Sequence, residues 1–98
     1  MLVNLIFDLH ADVIFVPDDI RENLKKYQRK CDKWLFGCEN QFWVKDETGR
    51  KLGVRVAAEG FLYWLNEFVL KDSDEKAYLI EGNKNIDEVN KSLHTIYY

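Results

Sequence analysis

Apolar residues in the first nine positions recur at the helical period. They are Leu2, Leu5, Ile6 and Leu9. This spacing favours a short helix over residues 2–9, with a first strand as the alternative, because a short apolar run fits either element. The next apolar run, Val13 to Val16, is β-branched and aromatic and lies between Asp12 and Pro17. Its composition and its boundaries predict a buried strand.

The longest amphipathic segment follows Pro17. Its apolar residues are spaced four, three, four and three apart: Ile20, Leu24, Tyr27, Cys31 and Trp34. Such a stripe predicts a helix from about Asp18 to Phe36, begun by Pro17 and two acidic residues and capped by Gly37. The opposite face is basic: Arg21, Lys25, Lys26, Arg29, Lys30 and Lys33.

Two further patterns follow in the second half of the chain. Residues 42–46 and 51–56 are β-prone and flank a polar tip that contains Gly49, which predicts an antiparallel hairpin. Residues 57–70 return to the helical period, and their apolar side chains span an arc of roughly 160°. An arc this wide predicts a helix that packs deep against a sheet.

The remaining segments complete the predicted order of elements. Residues 71–75 predict an exposed loop, residues 77–80 a strand, residues 82–85 a turn and residues 86–97 a closing helix. We therefore expect an α+β fold in a single domain over residues 1–98. The expected sheet has about four strands, is largely antiparallel and is covered by three to four helices.

Composition fits one small globular domain. The chain has 98 residues, of which 47% are hydrophobic and 14% aromatic, so intrinsic disorder is excluded. The longest apolar run, Phe61 to Leu65, has five residues, far fewer than a bilayer span needs. The N-terminal residues lack the basic region and the cleavage site of a secretory signal, which predicts a cytoplasmic protein without a membrane partner.

The two cysteines have a spacing that fits no common metal or redox motif. Cys31 and Cys38 lie seven residues apart, unlike CxxC or a zinc knuckle. Cys31 falls on the apolar stripe, so we interpret it as a small buried hydrophobic residue. A disulfide to Cys38 through a bend at Gly37 is the alternative.

Motifs for catalysis, metals and phosphates are missing from the sequence. The histidines, His10 and His94, lie near opposite ends of the chain, and the five glycines form no phosphate-binding loop. The acidic loop 71–75 lacks the glycine of a calcium-binding loop. His10, with Asp8 and Asp12, predicts a polar turn. We therefore expect neither an enzyme nor a cofactor or metal site.

Negative charge collects in the second half of the chain. Residues 57–88 contain eight acidic and three basic residues, whereas residues 1–36 contain six of each. An acidic surface repels nucleic acid and attracts basic proteins. Aromatic residues beside carboxylates are typical of protein-binding surfaces. The predicted partner-binding patch consists of Glu59, Tyr63, Asn66, Glu67, Asp72, Asp74 and Glu75.

The segment Phe61-Leu-Tyr-Trp-Leu-Asn-Glu67, the small acidic chain and the α+β pattern resemble immunity proteins of bacterial toxin systems, such as contact-dependent inhibition. The resemblance implies that the protein blocks the active site of a basic, often nuclease-type, toxin. A first alternative is a nucleic-acid-binding or regulatory protein that uses the basic face of the helix at 18–36. A second alternative is a small-ligand binder or an enzyme. Exposed aromatic residues could also form the contact of a homodimer.

Overall fold

The computed structural model describes residues 1–55 and 57–98, which form an α+β fold. Within those residues there are two helices and six strands. The elements are β1 (Leu2–Ile6), β2 (Ala11–Phe15), a 3₁₀ turn (Asp18–Asn23) continuing into α1 (Leu24–Gly37), β3 (Trp43–Lys45), β4 (Lys51–Val54), α2 (Ala58–Trp64) continuing as a π-helical segment (Leu65–Val69), β5 (Tyr78–Lys84), a second 3₁₀ turn (Ile86–Glu88) and β6 (His94–Tyr97).

The strands form two separate sheets. The main sheet has the order β5-β2-β1-β6, in which β1 is antiparallel to β2 and parallel to β6, and β2 is antiparallel to β5. Strands β3 and β4 pair only with each other among the described residues. The expectation of one largely antiparallel sheet under three to four helices is therefore wrong: the main sheet is mixed, and two helices cover it.

The core lies between α1, α2 and one face of the main sheet. Val3 and Ile14 are register partners on that face, so both side chains point toward the helices. They belong to one cluster with Leu24, Cys31 and Phe61, which are all buried. Because burial of apolar area is the main favourable term in folding, this cluster holds the two layers together.

The interpretation of residues 2–9 as a helix is wrong, because residues 2–6 form the inner strand β1. Val3, Asn4 and Leu5 are fully buried, so both faces of this strand are covered. A strand buried on both faces has a nearly continuous apolar sequence and lacks the alternation that distinguishes a strand from a helix.

The predicted closing helix at 86–97 is also wrong. Asn85 and Asn90 each accept a backbone N–H two residues later, from Asp87 and Ser92, and these local turns break the helical path. The chain then forms β6, which pairs in parallel with β1. Asn4 Nδ2 donates to the Asn90 oxygen at 2.8 Å and ties the segment to the sheet.

The predictions for residues 18–36 and for the hairpin are confirmed in outline. The helix begins as a 3₁₀ turn and ends one residue later than predicted, with Cys38 rather than Gly37 as its extended C-cap. The hairpin forms as β3 and β4, and Gly49 in its tip has a φ of 86°, a conformation that favours glycine. Val56, the last residue of the predicted second strand, lies outside the described residues.

The predicted helix at 57–70 is confirmed, with a π-helical second half. Leu70 N donates to the Leu65 oxygen at 2.7 Å, five residues back. The predicted turn at 82–85 is wrong for residues 82–84, which belong to β5. The register shifts between β2 and β5 mark an irregularity in this part of the sheet. Asn83 accommodates it with a φ of 53°.

Candidate partner-binding surface

Strand β5 is an exposed edge of the main sheet. Its inner side pairs with β2, and no described strand pairs with its outer side. Three consecutive large apolar side chains on it are about half exposed: Tyr78 at 53%, Leu79 at 50% and Ile80 at 48%. An edge strand presents unpaired N–H and C=O groups, which form a template for another extended chain.

An apolar row continues from this edge across the sheet. Leu2 is the register partner of Phe15, and Phe15 is the register partner of Tyr78. Register partners share a face, and these residues alternate with the core residues Val3 and Ile14. The row Leu2–Phe15–Tyr78 therefore lies on the face opposite the helices, with Phe15 and Tyr78 stacked at 5.0 Å between ring centroids.

Acidic residues stand at one end of this row. Glu75, Asp18 and Asp19 line the same depression of about 290 Å³, together with Phe15. The N-terminal ammonium group donates to Asp18 at 3.0 Å. The structure thus groups Glu75 with the acidic residues that begin the first 3₁₀ turn, near the start of β5.

Asn66 fixes where β5 begins. Its Nδ2 donates to the Ala77 oxygen at 2.9 Å, and its Oδ1 accepts from the Ala77 N–H at 2.8 Å. Both hydrogen-bonding groups of the side chain are therefore used within the chain. The sequence pattern places Asn66 in the predicted partner-binding patch, but its side chain instead holds the residue that precedes β5.

The loop that carries Asp72 and Asp74 is closed by its own lysine. Lys76 Nζ donates to the Leu70 oxygen and, at 3.1 Å, to the Lys71 oxygen. Asp72 and Asp74 are exposed, as the sequence predicts for a polar loop. Their carboxylates add negative charge to the connection that leads into β5.

Tyr63 belongs to an aromatic cluster between the helices and the hairpin. Its ring stacks on Trp34 at 5.8 Å and meets Phe42 edge-on at 5.7 Å. Phe68 meets Trp34 edge-on at 5.8 Å between ring centroids, and Glu67, its neighbour in the sequence, is exposed. Tyr63 keeps an exposed edge, but most of its contact is with its own chain.

Glu59 lies at a third location. Its carboxylate pairs with Arg55 Nη2 at 3.2 Å, and it lines a cavity together with Leu79 of β5. The predicted patch is therefore divided among this cavity, the aromatic cluster and the acidic start of β5. Two of these three places border β5.

Sequence reasoning missed the apolar residues that define the surface, namely Leu2, Phe15, Tyr78, Leu79 and Ile80. One signal was present: three consecutive large apolar residues, followed at once by polar ones, do not alternate as a strand with one solvent face does. The choice between a buried strand and an open edge needs the strand order, which local patterns do not give.

The basic face of α1 is exposed, as the nucleic-acid alternative requires. Lys26, Arg29 and Lys33 line a shallow depression that also contains Asp32, whose pKa is raised by burial. Bases would need aromatic side chains to stack on, and two aromatic residues of this helix already pack on other rings: Tyr27 on Trp64 and Trp34 on Tyr63. The structure gives this alternative no stacking surface from those two residues.

Both cysteines are free thiols. Cys31 is fully buried, which confirms its interpretation as a core residue, and Cys38 is exposed. Burial, and then the nearby Asp32 carboxylate, raise the pKa of the Cys31 thiol to about 12. A thiol that stays protonated is a poor nucleophile.

Comparisons with protein-family models, curated proteins and solved structures find no match for this chain. Among the described residues, none of the helices has the length and apolarity needed to cross a membrane. In the same part of the chain, no group of three or more His, Cys, Asp or Glu side chains is arranged to hold a metal ion.

Proposed function

We propose that this protein is a protein-binding module that accepts an extended, basic segment of a partner protein along the outer edge of β5. One observation carries the proposal: an edge strand of seven residues presents three consecutive half-exposed apolar side chains. Strand addition uses main-chain hydrogen bonds for affinity and alternate side chains for specificity.

The composition of β5 supports a pairing role. Proteins protect edge strands with charged residues, proline, β-bulges, short length or a covering loop. Tyr78, Leu79 and Ile80 include no charged residue and no proline, although a register shift lies between Leu79 and Glu81. The row through Phe15 and Leu2 extends the apolar area onto the sheet face. An incoming strand would cover groups that otherwise contact water.

The charges around the edge favour a basic partner. Glu75, Asp18 and Asp19 lie at the start of the strand, where the N-terminal ammonium group pairs with Asp18 and leaves Glu75 and Asp19 as the additional acidic groups. Glu81 is exposed on the strand and pairs with Lys84 at 3.4 Å. The chain as a whole has a net charge of −3. Complementary charge accelerates association and excludes acidic competitors.

The specific form of the proposal is an immunity protein that neutralises a basic, nuclease-type toxin by covering its active site. Small size, acidity and an exposed docking edge support it. The test is to express the product of the neighbouring gene alone and together with this protein. Growth arrest that coexpression relieves is the expected result. A neighbouring product that is harmless, or whose toxicity coexpression leaves unchanged, contradicts the immunity form.

Docking at β5 has a separate test with a defined probe. A short acetylated peptide of alternating lysine and valine is titrated into the protein, with a glutamate–valine peptide as the control. Ile80→Lys places a repelling charge on the edge, and Leu52→Lys makes the same change at an exposed position on β4. We expect the lysine peptide alone to bind, and Ile80→Lys alone to weaken it.

Three results would contradict docking at β5. If the lysine and glutamate peptides bind equally well, the charge of the partner does not matter. If Ile80→Lys and Leu52→Lys weaken binding equally, the peptide does not bind specifically at β5. Self-association that Ile80→Lys abolishes, without peptide binding, would assign the edge to a second copy of the chain. Sedimentation of the free protein across a concentration series distinguishes that case.

A further inference from the structure

A cavity of about 520 Å³ opens beside β5, where the turn between β1 and β2 meets the start of α2. Its walls are apolar, from Ala58, Leu62 and Leu79, and its polar groups are Asp12, His10 and Glu59. An apolar cavity with a few convergent polar groups is the usual form of a small binding site.

The central polar group is the carboxylate of Asp12, whose side chain is only 9% exposed. Its Oδ1 accepts from the Asn83 N–H at 2.9 Å. Its Oδ2 lies 3.7 Å from His10 Nε2, which is longer than a hydrogen bond. A carboxylate has about four acceptor positions, so Asp12 retains capacity for a donor in the cavity.

The backbone around Asp12 is shaped to hold it in place. Register shifts between β2 and β5 flank Val13, and Asn83 adopts a φ of 53° while its N–H points at Asp12. Bulges of this kind often redirect side chains beside functional sites. Gly82 borders the approach to the carboxylate, since an added Cβ would lie 3.6 Å from Asp12 Oδ1, in ordinary contact, and a larger side chain would fill this space.

The chemistry of the cavity selects an organic cation with an apolar stem. Burial of an ionised carboxylate is unfavourable unless a donor compensates it, and a guanidinium group donates two parallel hydrogen bonds to a carboxylate. The apolar walls suit the methylene groups of such a side chain. Glu59 already pairs with Arg55 at the rim, where both side chains are more than half exposed.

We propose that this cavity binds an alkylguanidinium group, supplied by an arginine side chain of the segment that docks on β5. The assignment to a partner's arginine rests on the proposed function, because Leu79 belongs both to the docking edge and to the cavity wall. The binding of a guanidinium group by Asp12 does not depend on strand addition.

The experiment is a titration of the ¹⁵N-labelled protein with n-butylguanidinium, followed by the amide signals. We expect the largest shifts at Asn83 and Leu79, and weaker binding of n-butylamine, which lacks the planar fork. Asp12→Asn should weaken guanidinium binding by about tenfold or more, since it removes a charged acceptor. Asp8→Asn, the same change at an exposed carboxylate in the turn that precedes β2, should leave binding unchanged.

A second variant shows whether Asp12→Asn weakens binding through the site itself or through a change in folding. Gly82→Val fills the approach while the carboxylate stays, and its added Cβ would lie 3.5 Å from Leu79 Cδ2 and 3.6 Å from Asp12 Oδ1, which are ordinary contact distances. We expect it to reduce binding as well, with an unchanged far-UV circular dichroism spectrum. Binding that survives both Asp12→Asn and Gly82→Val, or that Asp8→Asn weakens equally, overturns the proposal.

A comparison of peptides tests whether the guanidinium group comes from the partner segment that docks on β5. The lysine–valine peptide is compared with versions in which one central lysine is replaced by arginine or by neutral citrulline. Tighter binding of the arginine peptide, lost in Asp12→Asn, supports a partner's arginine. If n-butylguanidinium binds but no peptide does, the cavity serves a free guanidinium compound and docking at β5 fails. If all peptides bind equally, docking stands and the cavity proposal fails.

Discussion

Asn66 and Ala77 are joined by two hydrogen bonds across eleven residues, of 2.9 Å from Asn66 Nδ2 and 2.8 Å to Asn66 Oδ1. Ala77 immediately precedes β5, and it is buried. The amide therefore acts as a clamp that connects the π-helical end of α2 to the exposed edge. These two bonds link the start of β5 to a helix side chain.

Removal of this clamp should loosen β5 selectively. Asn66→Ala leaves a buried N–H and a buried C=O at Ala77 without partners, so we expect a loss of about 1–3 kcal/mol in the free energy of unfolding. Hydrogen exchange at Tyr78–Lys84 should accelerate more than exchange at β1. Asn85→Ala, which removes an exposed turn contact, is the control and should cost less. Uniform acceleration across the sheet would show that Asn66 has no special link to β5.

The aromatic cluster should contribute more to stability than to binding. Tyr63→Ala removes two aromatic pairs, to Trp34 and Phe42, each worth about 0.5–1.5 kcal/mol. We expect urea unfolding to shift accordingly, while Tyr63→Phe remains near the wild type because the rings are kept. A normal midpoint for Tyr63→Ala combined with weaker binding of the lysine–valine peptide would return Tyr63 to the partner-binding surface.

The two thiols should differ in reactivity. At mildly alkaline pH, a disulfide reagent such as Ellman's should modify the exposed Cys38 in the native protein and should reach Cys31 only after denaturation. The Cys38→Ser variant, which keeps Cys31 alone, should therefore be inert until urea is added. Rapid reaction of native Cys38→Ser would mean that the core between α1 and α2 opens readily.

Stability should fall at alkaline pH because of Cys31. Its pKa is raised from 9.0 to about 12 in the folded chain, so the folded state holds the proton more tightly than the unfolded state. The stabilising contribution is complete below pH 9 and is lost as the pH rises toward 12. Cys31→Ala should show a shallower decline in this interval than the wild type, measured by chemical unfolding. Parallel declines would contradict the role of the thiol.

Two of the elements that sequence patterns predicted correctly depend only on information that is local in the chain. The stripe from Ile20 to Trp34 and the hairpin around Gly49 depend on local spacing and local turn chemistry, and both are present. A helix was favoured over a strand for the segment that forms β1, and a helix was predicted for the segment that forms β6, because the apolar residues of both fit the helical period. Their pairing joins Val3 to His94, which is information that no local window contains.

The candidate surface escaped prediction for the same reason. Leu2, Phe15 and Tyr78 are far apart in the sequence and become neighbours only through strand order. The acidic residues were found because charge can be counted, but their grouping was not: Glu75 lies with Asp18 and Asp19. Composition predicted that the surface carries negative charge, but the location of that charge depends on the order of the strands.

The most direct test of the central claim is amide hydrogen exchange of the whole protein with and without the lysine–valine peptide. If β5 accepts an added strand, amides within Tyr78–Lys84 that do not bond to β2 should become protected, whereas those of His94–Tyr97 at the opposite edge should not change. Protection at β6 instead, or saturating binding with unchanged exchange at β5, would contradict docking at this edge.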